Sequence, residues 1–155
     1  MASKDLDDFL KTIDKSKFTN QPFSKRVPKP WGYELIFTPE KLPYTGKIMH
    51  IEAGKRQSLQ IHDQKQETYF LASGQGGVII EDSQGELKEV EFEQGKGYTT
   101  MVGQRHRLFA ITDCDIWEVS TPEVGTTIRL EDDYNRGNET EEVRKDPNRG
   151  WNLNN

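Results

Sequence analysis

Gln60, His62, Glu67 and His106 are the residues of this chain whose types and spacing could do chemistry together. Two imidazoles, one carboxylate and one amide oxygen form a borderline donor set that zinc, manganese, iron, cobalt or nickel can all accept. Gln60 and His62 are two residues apart, so on a strand they project to one face. Glu67 follows a turn that lets the next strand run back, and His106 comes from a second hairpin about forty residues later. An amide where a third imidazole could stand is a neutral, weaker ligand, which leaves a bound ion a good Lewis acid with positions open to water or substrate. The expected cofactor is one divalent metal ion of open identity. The competing reading makes His62 and His106 hydrogen-bonded core histidines.

These donors need short strands to position them. Strand signals occur at 33 to 37, 45 to 53, 57 to 62, 67 to 72, 76 to 81, 86 to 92, 97 to 100, 105 to 111, 115 to 120 and 126 to 130, separated by turns such as "SGQGG" and "DSQGE". So many short strands with glycine turns predict an all-β, single-domain jelly-roll barrel. Leu6, Phe9, Leu10, Ile13 and Phe18 recur at helical spacing, so residues 1 to 18 are expected to be helical, packed outside the barrel or at a subunit interface. Residues 21 to 30, with three prolines, read as an extended connector. The charged, asparagine-rich stretch 137 to 155 reads as a mobile tail that Trp151 could pin. The expected division is 1 to 27 helix and connector, 28 to 136 barrel, 137 to 155 tail.

The order Gly54, Gln60, His62, Glu67, Gly74, then Gly95, Gly103, His106, resembles the two motifs of the cupin superfamily, with glutamine at the first histidine. Met101 and Ala110 replace a proline and an asparagine that ligate nothing. "SLQIHDQKQETYF" is similar to the S-L-Q-x-H-x-x-R-x-E-x-W segment of type II mannose-6-phosphate isomerases. "KPWGYE" at 29 to 34 and "RLEDDYNR" at 129 to 136 look like that family's opening and closing motifs. The resemblance spans about residues 28 to 136. Lys65 stands for its arginine, Tyr69 for its tryptophan and Asn135 for its glycine. A lysine cannot offer arginine's bidentate fork to an anion, which bears on the substrate.

The resemblance implies a metal-dependent aldose–ketose isomerase working through a metal-stabilised cis-enediolate, on a sugar or sugar phosphate. Parity turns Ser58 to the face of Gln60 and His62, and puts Lys47 with Met49 and Ile51, leaving His50 opposite as a structural residue. Lys47 matches a family lysine and is a candidate proton shuttle, its pKa lowered by burial and metal, or a point charge for phosphate. Tyr69 shares the face of Glu67 and, with Tyr33, offers a hydroxyl to the site. Arg129 and Arg136 match the closing motif's arginines. They are candidate binders of phosphate or enediolate, against pairing with Glu131, Asp132 or Asp133. Lys65, with Arg56, Arg105 and Arg107, adds positive charge near the ligands. Trp31, Phe37, Phe70, Phe92, Phe109 and Trp117 are expected to fill the sandwich. Two other functions remain open: an iron(II) oxygenase built on His62, Glu67 and His106, and a noncatalytic sugar- or nucleotide-sugar-binding module.

Composition sets the remaining bounds. The 155 residues suit one domain, and the 32% hydrophobic content is low because the ends are polar. A net charge of −5, with no basic stripe, argues against nucleic acid and for a small-molecule partner. One cysteine, Cys114, and the lack of an apolar leader or of 18 consecutive apolar residues lead to the expectation of a cytoplasmic protein that touches no membrane. Cupins often pair through N-terminal segments, so a homodimer is the expectation by analogy.

Overall fold

The computed structural model describes residues 3 to 151, with side chains from residue 5. After a helix, α1 (Ser3–Lys11), come eleven strands: β1 (Lys25–Lys29), β2 (Gly32–Ile36), β3 (Thr45–Ile51), β4 (Leu59–His62), β5 (Glu67–Ser73), β6 (Gly76–Glu81), β7 (Leu87–Glu91), β8 (Gly97–Thr100), β9 (His106–Ala110), β10 (Cys114–Ser120) and β11 (Thr127–Glu131). They form two antiparallel sheets, one ordered β1-β2-β3-β10-β5-β8 and the other β11-β4-β9-β6-β7. This is the expected jelly roll. All ten expected strands form, and β1 is an additional strand. The connector residues Lys25 to Lys29 pair antiparallel with β2 despite Pro28, which is tolerated because β1 is an edge strand.

Alternation decides what each strand turns inward. Met49, Ile51, Tyr69, Leu71, Val78, Leu108 and Ile116 make a dry floor closed by Trp31 and Phe92. Above that floor the same parity continues into polar residues: Lys47 on β3, Glu67 on β5 and Glu118 on β10 are all buried. Three of the six aromatics expected inside face outward. Phe37, Phe70 and Trp117 are 40% or more exposed, because Phe70 and Trp117 alternate with the inward Tyr69, Leu71, Ile116 and Glu118.

Glycine matters locally at Gly103. Its φ of 79° belongs to the left-handed region, and its amide donates to the His62 carbonyl at 2.8 Å. That bond ties the turn before β9 to the end of β4, bringing the two halves of the donor set together. Asn135, where a glycine was the expected counterpart, has φ 56° and is the one described non-glycine residue with positive φ. Asparagine tolerates that conformation better than other side chains, so the turn survives the replacement.

Leu6, Phe9 and Leu10 of α1 are 45 to 56% exposed, so the apolar stripe is not covered by the barrel. The expected mobile tail is instead packed over 137 to 151. Glu139 bridges to Thr127 through paired backbone hydrogen bonds of 2.9 Å, and both Glu139 and Arg149 are buried. Opposite charges waiting on the barrel allow so polar a segment to be buried. Trp151 is exposed and does not pin it; residues 152 to 155 lie outside the described residues. No described helix is long and apolar enough to cross a membrane.

Candidate metal centre and its charged cavity

His62, Glu67 and His106 converge in the interior. Their ligand atoms lie within 4.8 Å of one another, with His62 Nε2 and His106 Nε2 each 3.0 Å from Glu67 Oε1. Pairing explains the convergence, because β4 sets Gln60 opposite His106 of β9 and the returning β5 brings Glu67 across the gap between sheets. The outer ring nitrogens are both held. Thr127 Oγ1 is 3.1 Å from His62 Nδ1, and His106 Nδ1 donates to the Gln104 carbonyl at 2.9 Å. That arrangement leaves each Nε2 for the centre.

The set fits a cation. Because the Gln104 carbonyl can only accept, His106 Nδ1 carries a proton, and whenever Nε2 carries none it turns a lone pair toward a carboxylate oxygen. Two acceptors facing one another are reconciled by a positive ion between them. Glu67 Oε2 is also buried without a hydrogen bond of good angle, although Lys65 Nζ is 2.7 Å away. Burial, opposed by the Glu67 contact and aided by Lys65, lowers the His62 pKa, which favours the neutral, ligating ring. Burial would raise the Glu67 carboxyl, but Lys65 and the two histidines outweigh it and hold it well below the usual range. The group could hold one metal ion, whose identity stays open among the borderline divalent metals.

Gln60 flanks this group. Its Nε2 is 3.4 Å from His106 Nε2, while its Oε1 accepts from Ser58 Oγ at 2.7 Å. Rotating the amide by half a turn would aim the oxygen at the centre. Tyr69 is buried with its hydroxyl donating to Glu67 Oε1, and burial with the Glu67 charge raises its pKa well above normal, keeping it a donor. Tyr33 does not reach the site. It stacks on His50 at 5.0 Å on the outer face, where His50 is paired with Asp115 at 2.8 Å.

Beside the donors lies a cavity of about 40 Å³, room for a few waters, lined by five cations and five carboxylates. The cations are Lys29, Lys47, Lys65, Arg129 and Arg136; the carboxylates are Glu34, Glu67, Glu118, Glu123 and Glu139. Lys47 contacts Glu123 at 2.6 Å, Glu34 at 3.6 Å and Glu118 at 3.7 Å. Burial alone would lower its pKa as expected from sequence, yet these carboxylates outweigh burial and raise it, so Lys47 is a fixed cation rather than a base. Lys65, expected beside the ligands, is buried among Glu67, Glu118 and Glu123.

The arginines are more committed than the sequence implied. Arg136 grips Asp132 with two hydrogen bonds of 3.0 and 2.7 Å. Arg129, opposite Gln60 in the sheet, contacts Glu139 at 3.2 Å and donates to the Gly137 carbonyl. Arg56, Arg105 and Arg107 do not line the cavity; they pair with Asp133, Glu81 and Glu131.

Sequence reasoning missed Glu118, Glu123, Glu34 and Glu139. Glu118 is the most consequential, because it stands between Lys65 at 3.2 Å and Lys47 at 3.7 Å. Burial and the Glu67 charge push its carboxyl up to about 8 against the pull of the two lysines. Alternation in "CDIWEVS" carried the signal, once Ile116 is known to face inward.

No protein-family profile and no curated protein matches the chain. Solved structures do. The oxalate decarboxylase of Lactobacillus farciminis in its formate complex aligns with TM-score 0.62 and 21% identity, over 74% of this chain and 37% of its own. A tryptophan-to-tyrosine variant of the oxalate decarboxylase of Bacillus subtilis aligns with TM-score 0.58 and 18% identity, over 68% and 30%. The chain thus spans about a third of the length of these relatives. They are cupin-fold proteins, and at this identity the likeness establishes the cupin fold alone.

Proposed function

We propose that this chain is a metal-dependent aldose–ketose isomerase acting on a phosphorylated sugar, of the mannose-6-phosphate isomerase type. The observation that carries the reading is the sharing of one cavity by His62 and Glu67 of the metal-capable group and by Glu118, a buried carboxyl with a proton affinity near neutrality. Isomerisation needs one group that takes a proton from C2 and returns it to C1, and such a base works best with a pKa near the working pH.

A divalent ion held by His62, Glu67 and His106 would supply Lewis-acid polarisation of the sugar's C1 and C2 oxygens. Glu118 is the base in this reading. Lys47 and Lys65 hold its carboxylate in place and compensate its charge when the proton is handed back. Tyr69 orients Glu67, and Gln60, steadied by Ser58, completes the donor set. Arg129 and Arg136 provide positive potential at the cavity wall. Charge balance supports an anionic substrate: with Glu118 ionised as the base, the five lining cations and five carboxylates cancel, so a bound dication leaves an excess that a dianion offsets.

Mannose-6-phosphate followed by NMR, with metal-free protein resupplied in turn with zinc, manganese, cobalt and iron, tests the reading. Fructose-6-phosphate should form and should vanish in H62A and E67A. No product with any metal sinks it for this substrate.

One observation favours a second reading. A cavity of about 40 Å³ suits a substrate much smaller than a hexose, and the similar folds belong to oxalate decarboxylases. Metal-dependent cleavage of a small dicarboxylate would give carbon dioxide from oxalate in the same metal series, with no turnover of the sugar phosphate.

A further inference from the structure

The cavity at the metal group has no room for a sugar phosphate as it stands, but a second one adjoins it. This cavity, about 360 Å³, opens between β1, β2 and the start of β3 on one side and residues 122 to 124 and 144 to 149 on the other. Glu123 lines both cavities. It touches Lys65 at 3.4 Å, and Lys65 touches Glu67 at 2.7 Å, so the wall of the larger cavity stands two contacts from the metal-capable carboxylate.

The larger cavity has an excess of positive charge. Lys25, Arg144, Lys145 and Arg149 line it against Glu40 and Glu123. Two of these cations are interior groups, the side chains of Arg149 and Arg144 being only 5% and 11% exposed, and both share the Glu139 carboxylate with Lys29 and Arg129. Their hydrogen bonds go to neutral carbonyls, Arg144 to those of Glu123 at 3.4 Å and Glu139 at 3.3 Å, Arg149 to that of Arg144 at 3.1 Å. Carboxylate oxygens come no nearer than 3.5 Å to Arg144 and 3.7 Å to Arg149. The Nε of each is buried with no hydrogen-bond acceptor. Burying a charged donor without an acceptor is costly, and the oxygens of an anion remove that cost through charge-assisted, bidentate bonds.

We propose that this second cavity seats the phosphate monoester of the substrate, with Arg144 and Arg149 gripping its oxygens and Lys25 and Lys145 at its mouth. Glu123 is the movable partition. Its carboxylate is already held by Lys47 at 2.6 Å and lies 3.8 Å from Arg144, so an entering phosphate takes over Arg144 while Glu123 withdraws from the shared wall, joining the two spaces so that the sugar end reaches the metal group. Thr38 and Thr45 on the barrel side add hydroxyl donors. The larger cavity thus supplies the room that the smaller one lacks, and the reacting end depends on the isomerase reading while the phosphate seat does not.

Inorganic phosphate titrated into the metal-free full-length chain at fixed ionic strength, read by calorimetry and phosphorus NMR, isolates the seat from any chemistry. Saturable binding is expected, weakened about tenfold by R144Q, which removes one bidentate cation, and by a lesser factor in the K25Q/K145Q double variant. Both lysines are on the surface, so the double variant decides the matter should R144Q fail to fold. Absence of saturable binding, or wild-type affinity in the folded variants, overturns the proposal. Weakened phosphate binding without sugar turnover under any metal keeps the seat and removes the isomerase reading. Turnover with an unchanged KM for the phosphorylated sugar in the variants keeps that reading and removes the seat.

Discussion

Lys65 Nζ lies 2.7 Å from Glu67 Oε2, inside the barrel, and reaches Glu118 at 3.2 Å and Glu123 at 3.4 Å. One lysine therefore serves three carboxylates, two of them, Glu67 and Glu118, buried. A point charge suits this task, because the three acceptors surround it rather than lying in the plane of a fork.

Replacing Lys65 by methionine keeps the stem and removes the charge. The variant should lose about 3–5 kcal/mol of stability in the metal-free state, as expected when a buried ion pair loses one partner. Part of the loss should return with a divalent metal, which neutralises Glu67. Urea unfolding with and without manganese measures both; a stability equal to wild type would show that Lys65 is not the compensating charge.

The metal group makes a second prediction. Adding a divalent metal at about 100 times its dissociation constant should stabilise the wild-type protein by about 2.7 kcal/mol, and H62A, E67Q and H106A should lose that gain. Thr127→Val removes only the partner of His62 Nδ1, so it should weaken metal affinity by about 10–100-fold while leaving the metal-free fold intact. Metal content and thermal shifts together report on this. Full affinity in T127V would mean that the hydroxyl does not orient the ring.

Glu139 should give the stability profile an acid limb. Burial would raise its carboxyl, but Lys29, Arg129 and Arg149 outweigh burial and hold it at about 2. A carboxyl whose folded pKa is depressed contributes stability above its unfolded value near 4.5, and loses it as pH falls toward 2. The shift corresponds to roughly 3 kcal/mol. Urea unfolding from pH 7 to pH 2 should show a steep fall below pH 4.5 in the wild type and a shallower one in E139Q. Identical slopes would contradict the assignment.

Glu118→Gln tests the proposed base. The amide keeps the volume and cannot take a proton, so kcat for the sugar phosphate should fall by about 10²–10⁴-fold with little change in KM. Wild-type kcat would exclude Glu118, and a change confined to KM would make it a binding group.

Strand parity made much of the centre legible before any fold was known. Ser58, Gln60 and His62 alternate with apolar neighbours, so one face of β4 had to present them together, and glycine turns fixed where each strand ended. The strand β10 was ambiguous. In "CDIWEVS" hydrophobicity favours turning Trp117 and Val119 inward, whereas pairing with β3 and β5 puts Ile116 and Glu118 inside. A one-residue choice of face moves every side chain, and only the neighbours on both sides make it.

The sequence by itself therefore determined the jelly-roll architecture, the places of ten strands along the chain and the candidate donors among which His62, Glu67 and His106 converge, because strand faces and strand ends follow from periods of two and from turn residues, which are local. Tertiary structure alone decided the charge environment of that set. Glu34, Glu118, Glu123 and Glu139 are ordinary surface residues by type. They enter the interior because lysines and arginines from distant strands, and from the segment 139 to 149, offset the cost of burying them. That compensation depends on distances across the barrel, and distance is what a linear reading does not contain.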